Sequence, residues 1–143
     1  MPKSSVVNQL KAHSVAIISL VVALSGLAYN SWRDAVVEEN HSIRIAAFEV
    51  LKNLGELQLI ADYAHYQKDR ALGNPITGWG RVALIRDLSR VIPAPAPKAA
   101  DRLLQIWQEN WELLEDDAAA AGRVNAQIAE TREAVMLALQ RLR

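Results

Sequence analysis

Two histidines, His41 and His65, are the first candidates for metal or acid–base chemistry in the charged part of the chain. Each follows a carboxylate by three positions, after Glu38 and Asp62 respectively, and di-metal sites in four-helix proteins use this i, i+3 spacing. On one helix, however, the two histidines would stand about 36 Å apart. Because glutamates at matching positions of a second helix are also lacking, the pattern predicts no metal site.

Other catalytic chemistry has no residues to carry it. No serine or threonine beyond residue 33 stands in the glycine-flanked turn of a hydrolase nucleophile. The glycines at 73, 78 and 80 follow a predicted helix instead of a strand, which excludes a dinucleotide fingerprint. Cysteine is absent, so thiolate ligands and disulfides are excluded as well. The sequence predicts neither an enzyme nor a bound cofactor.

One segment has the composition of a binding surface. Residues 62–81 concentrate aromatic and basic side chains around a glycine-rich loop predicted at 71–80, and such aromatic and arginine anchors dominate the energies of protein interfaces. The alternative is that Trp79 and Tyr66 close the open end of a helical bundle. The candidate contacts for a partner or ligand are Tyr63, His65, Tyr66, Arg70, Trp79 and Arg81.

An apolar segment near the N-terminus must position the charged part of the chain. Residues 12–32 contain no Asp, Glu, Lys or Arg, and a helix of this length covers roughly 30 Å, the thickness of the hydrocarbon core of a bilayer. We therefore predict a transmembrane helix at 12–32, preceded by a tail at 1–11. A cleavable signal peptide is the alternative, since Gly26, Leu27 and Ala28 provide small residues before Tyr29.

The charges on either side of the span predict its orientation. Lys3 and Lys11 precede it with no acidic residue, whereas Asp34, Glu38 and Glu39 follow it. Basic flanks remain in the cytoplasm. The expected location is a bacterial inner membrane, with residues 33–143 in the periplasm.

A stripe of small residues runs along the predicted span at alternating spacings of three and four. Small side chains allow two helices to approach closely in lipid, although an alanine- and serine-rich span also produces such a stripe by chance. The stripe consists of Ala16, Ser19, Ala23 and Gly26.

Two heptad patterns predict that the outer domain is all-α. The first predicts a helix from about Ser31 to Arg70, continuous with the membrane helix, and the second fills the last third of the chain. Ile45, Phe48, Leu51 and Ile60 widen the first apolar stripe, so that this helix can contact more than one neighbour. The residues predicted to form the seam between helices are Ile43, Leu54, Leu57, Trp107, Trp111, Leu114, Ile128 and Val135.

The connections complete the predicted fold. A short helix at 81–92 follows the loop, and residues 93–97, Pro-Ala-Pro-Ala-Pro, predict an extended spacer. Unbroken register favours one helix over 97–143, whereas Asp116 and Asp117 ahead of alanines could cap a second helix and form a hairpin. The favoured fold is an antiparallel helical bundle or coiled coil with two long helices and one short one.

Composition and layout together favour an interaction function. The formal net charge is zero, so the chain has no basic excess to neutralise nucleic-acid phosphates. A short tail, one span and an outer helical domain are similar to the layout of bitopic cell-envelope scaffolds. We expect an accessory or assembly subunit that binds another membrane or periplasmic protein, or itself. A ligand-sensing helical bundle, similar to chemoreceptor outer domains, and a secreted helical protein are the alternatives.

Overall fold

The computed structural model describes residues 4–142, and their side chains from His13 onwards. Four α-helices make up most of this part of the chain, which contains no strand: α1 (Ser4–Asp62), α2 (Pro75–Ser89), α3 (Ala96–Asn110) and α4 (Ala118–Arg141). The all-helical prediction is confirmed. The predicted division into two long helices and one short helix is wrong.

The chain divides into two compact units between Glu39 and Asn40. The first unit consists of the N-terminal part of α1, and every side chain from His13 to Glu39 is exposed. Ala16, Ser19, Ala23 and Gly26 lie on this exposed segment. Residues 1–3 of the predicted tail lie outside the described residues, and from Ser4 on the tail is part of α1.

The second unit has one hydrophobic core, to which all four helices contribute. The largest fully buried side chain is that of Trp107 on α3, and it shares the core with Leu54 and Leu57 of α1, Ile85 of α2 and Ile128 of α4. Of the eight predicted seam residues, seven are buried and Trp111 is half-buried against the core.

α1 ends at Asp62, before the predicted end at Arg70. A π-helical turn at Tyr63–Gln67 follows α1, and Lys68 adopts a left-handed conformation with φ 54°. The Asp69 carboxylate then accepts hydrogen bonds from the backbone N–H groups of Ala71 and Leu72 at 2.8 and 3.0 Å. These bonds turn the chain towards α2.

The predicted loop at 71–80 is wrong beyond residue 74, because α2 begins at Pro75. Asn74 caps this helix, its side chain accepting from the Ile76 N–H at 2.9 Å, and proline at the first helical position loses no required hydrogen bond. Gly78 lies within α2 and faces Trp107 so closely that a Cβ atom would overlap the indole ring. The glycine therefore serves packing instead of a turn.

The predicted extended spacer at 93–97 is also wrong. Residues 90–95 form a turn with a cis Ala94–Pro95 bond, and α3 begins at Ala96. The Ala99 N–H already donates to the Pro95 carbonyl at 3.2 Å. Proline at 97 is compatible with this start, since the first helical turn needs no internal N–H donors.

The favoured single helix over 97–143 is wrong, and the hairpin alternative is the one that forms. α3 ends at Asn110, a 3-10 turn spans Trp111–Leu113, and Asp117 caps α4 by accepting from the Ala119 N–H at 2.8 Å. Arg123 donates to Asn110 at 2.9 Å and Thr131 to the Ala99 carbonyl at 3.3 Å, so α3 and α4 are antiparallel. Each helix separately needs a buried stripe, so the same spacing of apolar residues is found on both sides of the break.

Candidate functional site

The structure gives most of the six predicted contact residues partners within the domain. His65 lies in the π-helical turn, and its Nδ1 is 2.9 Å from the Leu114 carbonyl oxygen. Its ring also meets Tyr66 edge-on, with centroids 4.8 Å apart. His65 thus ties the end of α1 to the segment that joins α3 and α4.

Arg81 is held between two residues of α1. Its guanidinium is 2.7 Å from Glu56 and donates to the Asn53 side-chain oxygen at 3.0 Å. Asn53 is buried and in turn donates to the Glu49 carbonyl at 2.8 Å. A fork that satisfies a buried amide stabilises the packing of α2 on α1, which accounts for Arg81 without an external partner.

Trp79 contributes to packing as well. It is half-buried against the core, and its ring meets Trp111 at a centroid distance of 6.3 Å and an interplanar angle of 70°. This edge-to-face geometry is favourable for aromatic pairs. The interpretation that Trp79 closes one end of the domain therefore has direct packing support, whereas Tyr66 remains 72% exposed.

A cavity of about 390 Å³ lies beside the end of α1, and of the six candidates only Arg70 lines it. Its wall also includes Lys68, Trp111 and Glu115. Arg70 is 3.6 Å from Glu115, and Lys68 is 3.8 Å from Asp116, with all four side chains partly or largely exposed. Tyr63, half-buried, does not line this cavity. The basic groups are already paired with acidic ones, which leaves no net positive site for an anion.

Asn125, three residues before Ile128 on the second heptad stripe, connects two helices instead of facing water. Gln58 donates to Asn125 at 2.9 Å and to Asp62 at 3.0 Å, and Asn125 donates to Asp62 at 3.3 Å. This cluster ties α1 to α4. The sequence offers a signal for it in Asn125, since an amide at a heptad position between helices often sets register.

An exposed apolar face of α1 is the feature that sequence reasoning placed wrongly. Ile45 and Phe48, expected to widen the buried stripe, are 52% and 62% exposed, and Leu59 on the same face is 55% exposed. Gly55 lies between them with open space where its Cβ would be. Successive spacings of three, seven and four place these residues on one helix face. We call residues 45, 48, 55 and 59 the α1 outer face.

The described residues include no group of three or more histidine, cysteine, aspartate or glutamate side chains placed to hold a metal ion. Buried polar atoms without a partner in this part of the chain include Trp107 Nε1, Ser89 Oγ and Gln127 Nε2. None of these three is a nucleophile paired with a base. The features open to a partner are therefore surfaces, and one of them is the α1 outer face, where Ile45, Phe48 and Leu59 are each more than half exposed.

No family model, curated protein or solved structure matches this chain.

The different settings of the two histidines give a first prediction. Replacing His65 by alanine is expected to lower the free energy of unfolding by about 1 kcal/mol, because the hydrogen bond to Leu114 and the packing on Tyr66 are lost. His41 is exposed, so His41→Ala is the matched control and should be neutral. Urea unfolding followed by circular dichroism measures both, and equal effects would contradict the assigned role of His65.

Proposed function

We propose that this chain is a single-pass, membrane-anchored helical interaction protein of a bacterial inner membrane, an accessory or assembly subunit of a cell-envelope complex. Residues 12–32 would span the bilayer and residues 33–143 would form the periplasmic interaction domain. The observation that carries the proposal is the complete exposure of the apolar segment of α1, which requires lipid or protein to cover it.

The membrane assignment is supported by length, composition and exposure together. α1 contains the one helix segment of the described chain that is long and apolar enough to cross a membrane, with a mean hydropathy of 1.7 in its most apolar window and none of that window buried. Exposing these side chains to water costs free energy, roughly 25 cal/mol per Å² of apolar surface. A bilayer removes this cost.

The interaction role is supported by the α1 outer face. An exposed phenylalanine flanked by two exposed aliphatic residues and an open glycine position provides a ridge beside a notch, to which a partner helix could pack. The ligand-sensing alternative has weaker support, since five of the six residues expected to line its pocket do not line the nearby cavity.

The orientation gives the second prediction. A reporter enzyme that is active only outside the cytoplasm is expected to be active when fused after Arg143, because Lys3 and Lys11 hold the N-terminus inside. Lys3 lies outside the described residues, and Lys11 is described only in its backbone. An inactive fusion would contradict the proposed topology.

Charge reversal provides the matched control for this topology. Lys3→Glu and Lys11→Glu combined with Asp34→Lys and Glu38→Lys should lower the reporter activity, since the basic flank then follows the span. Mass spectrometry of the mature N-terminus in the same cells separates an anchor from a cleaved signal peptide. An N-terminus at Tyr29 would show that the protein is secreted.

A further inference from the structure

A groove of about 670 Å³ lies between the first half of α3 and the second half of α4. Ala99 and Ala134 lie at its base and are nearly buried, while Met136 and Leu137, which also line it, are 44% and 40% exposed. Small residues below and larger apolar residues beside them form a channel of the kind that a helix face fills.

The charged residues of the groove are divided by sign between its two helices. Both basic side chains, Lys98 and Arg102, come from α3, and both acidic side chains, Glu130 and Glu133, come from α4. All four residues are exposed. Within residues 13–142, none of them takes part in an ion pair or a side-chain hydrogen bond. The groove therefore has charge on both sides that the domain itself leaves unpaired.

We propose that this groove binds a second copy of the chain, with a two-fold axis parallel to α3 and α4. Such an axis places α3 of one copy over α4 of its partner and keeps the direction of each helix. Lys98 and Arg102 of one copy then face the acidic side of the other groove at the same level, because both sets line the same stretch. The two-fold axis repeats these contacts, so the interface contains two equivalent sets of them, as in every isologous dimer.

The charge pattern selects this arrangement among the symmetric ones. A two-fold axis perpendicular to the helices would place α3 on α3 and α4 on α4, so that like charges would meet. Like charges in an interface disfavour that pairing strongly. Both arrangements place antiparallel helices across the interface, so the helix dipoles do not distinguish them and the charged side chains do.

The size of the groove indicates a weak dimer that needs the membrane. Ten residues line the groove, whereas a standard stable interface uses about 20 to 30 residues on each side. Anchoring both copies in one bilayer raises their effective concentration. The inference thus rests on the proposed membrane-anchored function and names its partner as the chain itself.

Energy transfer between labelled full-length chains in vesicles of phosphatidylethanolamine and phosphatidylglycerol tests the dimer. The chain has no cysteine, so Ala83→Cys on the exposed side of α2 accepts a single donor or acceptor dye. Lys98→Glu with Arg102→Glu, the acidic variant, and Glu130→Lys with Glu133→Lys, the basic variant, should each weaken self-association at least about tenfold, because each creates like-charge contacts on both sides of the axis.

Mixing the two variants provides the decisive measurement. In a heterodimer of the acidic and the basic variant, opposite charges face each other again in both sets of contacts. Energy transfer should therefore return to the wild-type level. The chain that carries all four substitutions should also self-associate. A groove occupied by another protein predicts no recovery in the mixture, and that result would overturn the proposal.

The controls separate this inference from the membrane proposal. Arg90→Glu with Arg132→Glu lowers the net charge by the same amount as the acidic variant does, but at exposed positions outside the groove. This control should leave self-association unchanged. Transfer that is absent in the wild type, or that persists in both charge variants, contradicts the groove dimer while leaving anchorage intact. Flotation of the same vesicles tests anchorage itself, which fails if the chain does not float with lipid.

Discussion

Replacing Gly78 by alanine is expected to destabilise the domain by about 2 to 4 kcal/mol, although alanine is intrinsically the better helix former. A Cβ at this position of α2 would overlap the Trp107 indole, which is fully buried in the core. Either the indole must leave its packed position or α2 must move away from α3. Both changes lose apolar contacts that the core depends on.

Gly80 is the matched control for this prediction. It lies in the same helix, two residues further on, with open space where its Cβ would be, so Gly80→Ala should be neutral or stabilising by up to about 1 kcal/mol. Adding Trp107→Leu to Gly78→Ala tests the cause directly, since a smaller side chain leaves room for the methyl group. Strictly additive losses in this double-mutant cycle would contradict the proposed contact.

The sequence predicts the buried residues of this domain better than the ends of its helices. Spacing alone predicts that Leu54, Leu57, Trp107 and Ile128 are buried, and they lie in the core, because a helix face that meets the core must be apolar whatever the topology. The spacing of apolar residues does not reveal a break between two helices when the same spacing continues across it. The α3–α4 junction at 111–117 is such a break, and the Asp117 cap was its local signal.

The predicted contact residues show a different limit of sequence reasoning. Arg81 and Trp79 have the composition of interface anchors, yet the same side chains also suit an internal fork and an aromatic pair. Composition does not reveal which partner is within reach. Glu56 and Asn53 lie on α1, 25 and 28 residues before Arg81. They become neighbours of Arg81 only when α2 folds back against α1.

The exposure of Phe48 and Ile45 could not be derived from the heptad either. α1 contacts two neighbours, α2 through Arg81 and α4 through Asn125, yet neither of them covers Ile45 and Phe48. The structure leaves the α1 outer face open, which turns an apparent surplus of apolar residues into a candidate interface.

Leu57→Asp is expected to destabilise the domain by at least about 4 kcal/mol, whereas Leu59→Asp should stay within about 0.5 kcal/mol of the wild type. Leu57 is fully buried and a carboxylate there has no partner, while Leu59 on the α1 outer face is 55% exposed. Since domains of this size are stable by about 5 to 15 kcal/mol, a loss of this size removes between about a quarter and most of the stability.

Urea unfolding of the two full-length variants in detergent, followed by circular dichroism, measures this difference. The pair has identical chemistry in the same helix, so any contrast reports burial and not helix propensity. Comparable destabilisation by both would show that the α1 outer face is covered within the domain and is not available to a partner. A stable Leu59→Asp variant, in turn, removes an apolar anchor without harming the fold, and loss of partner binding in that variant would assign the interaction to this face.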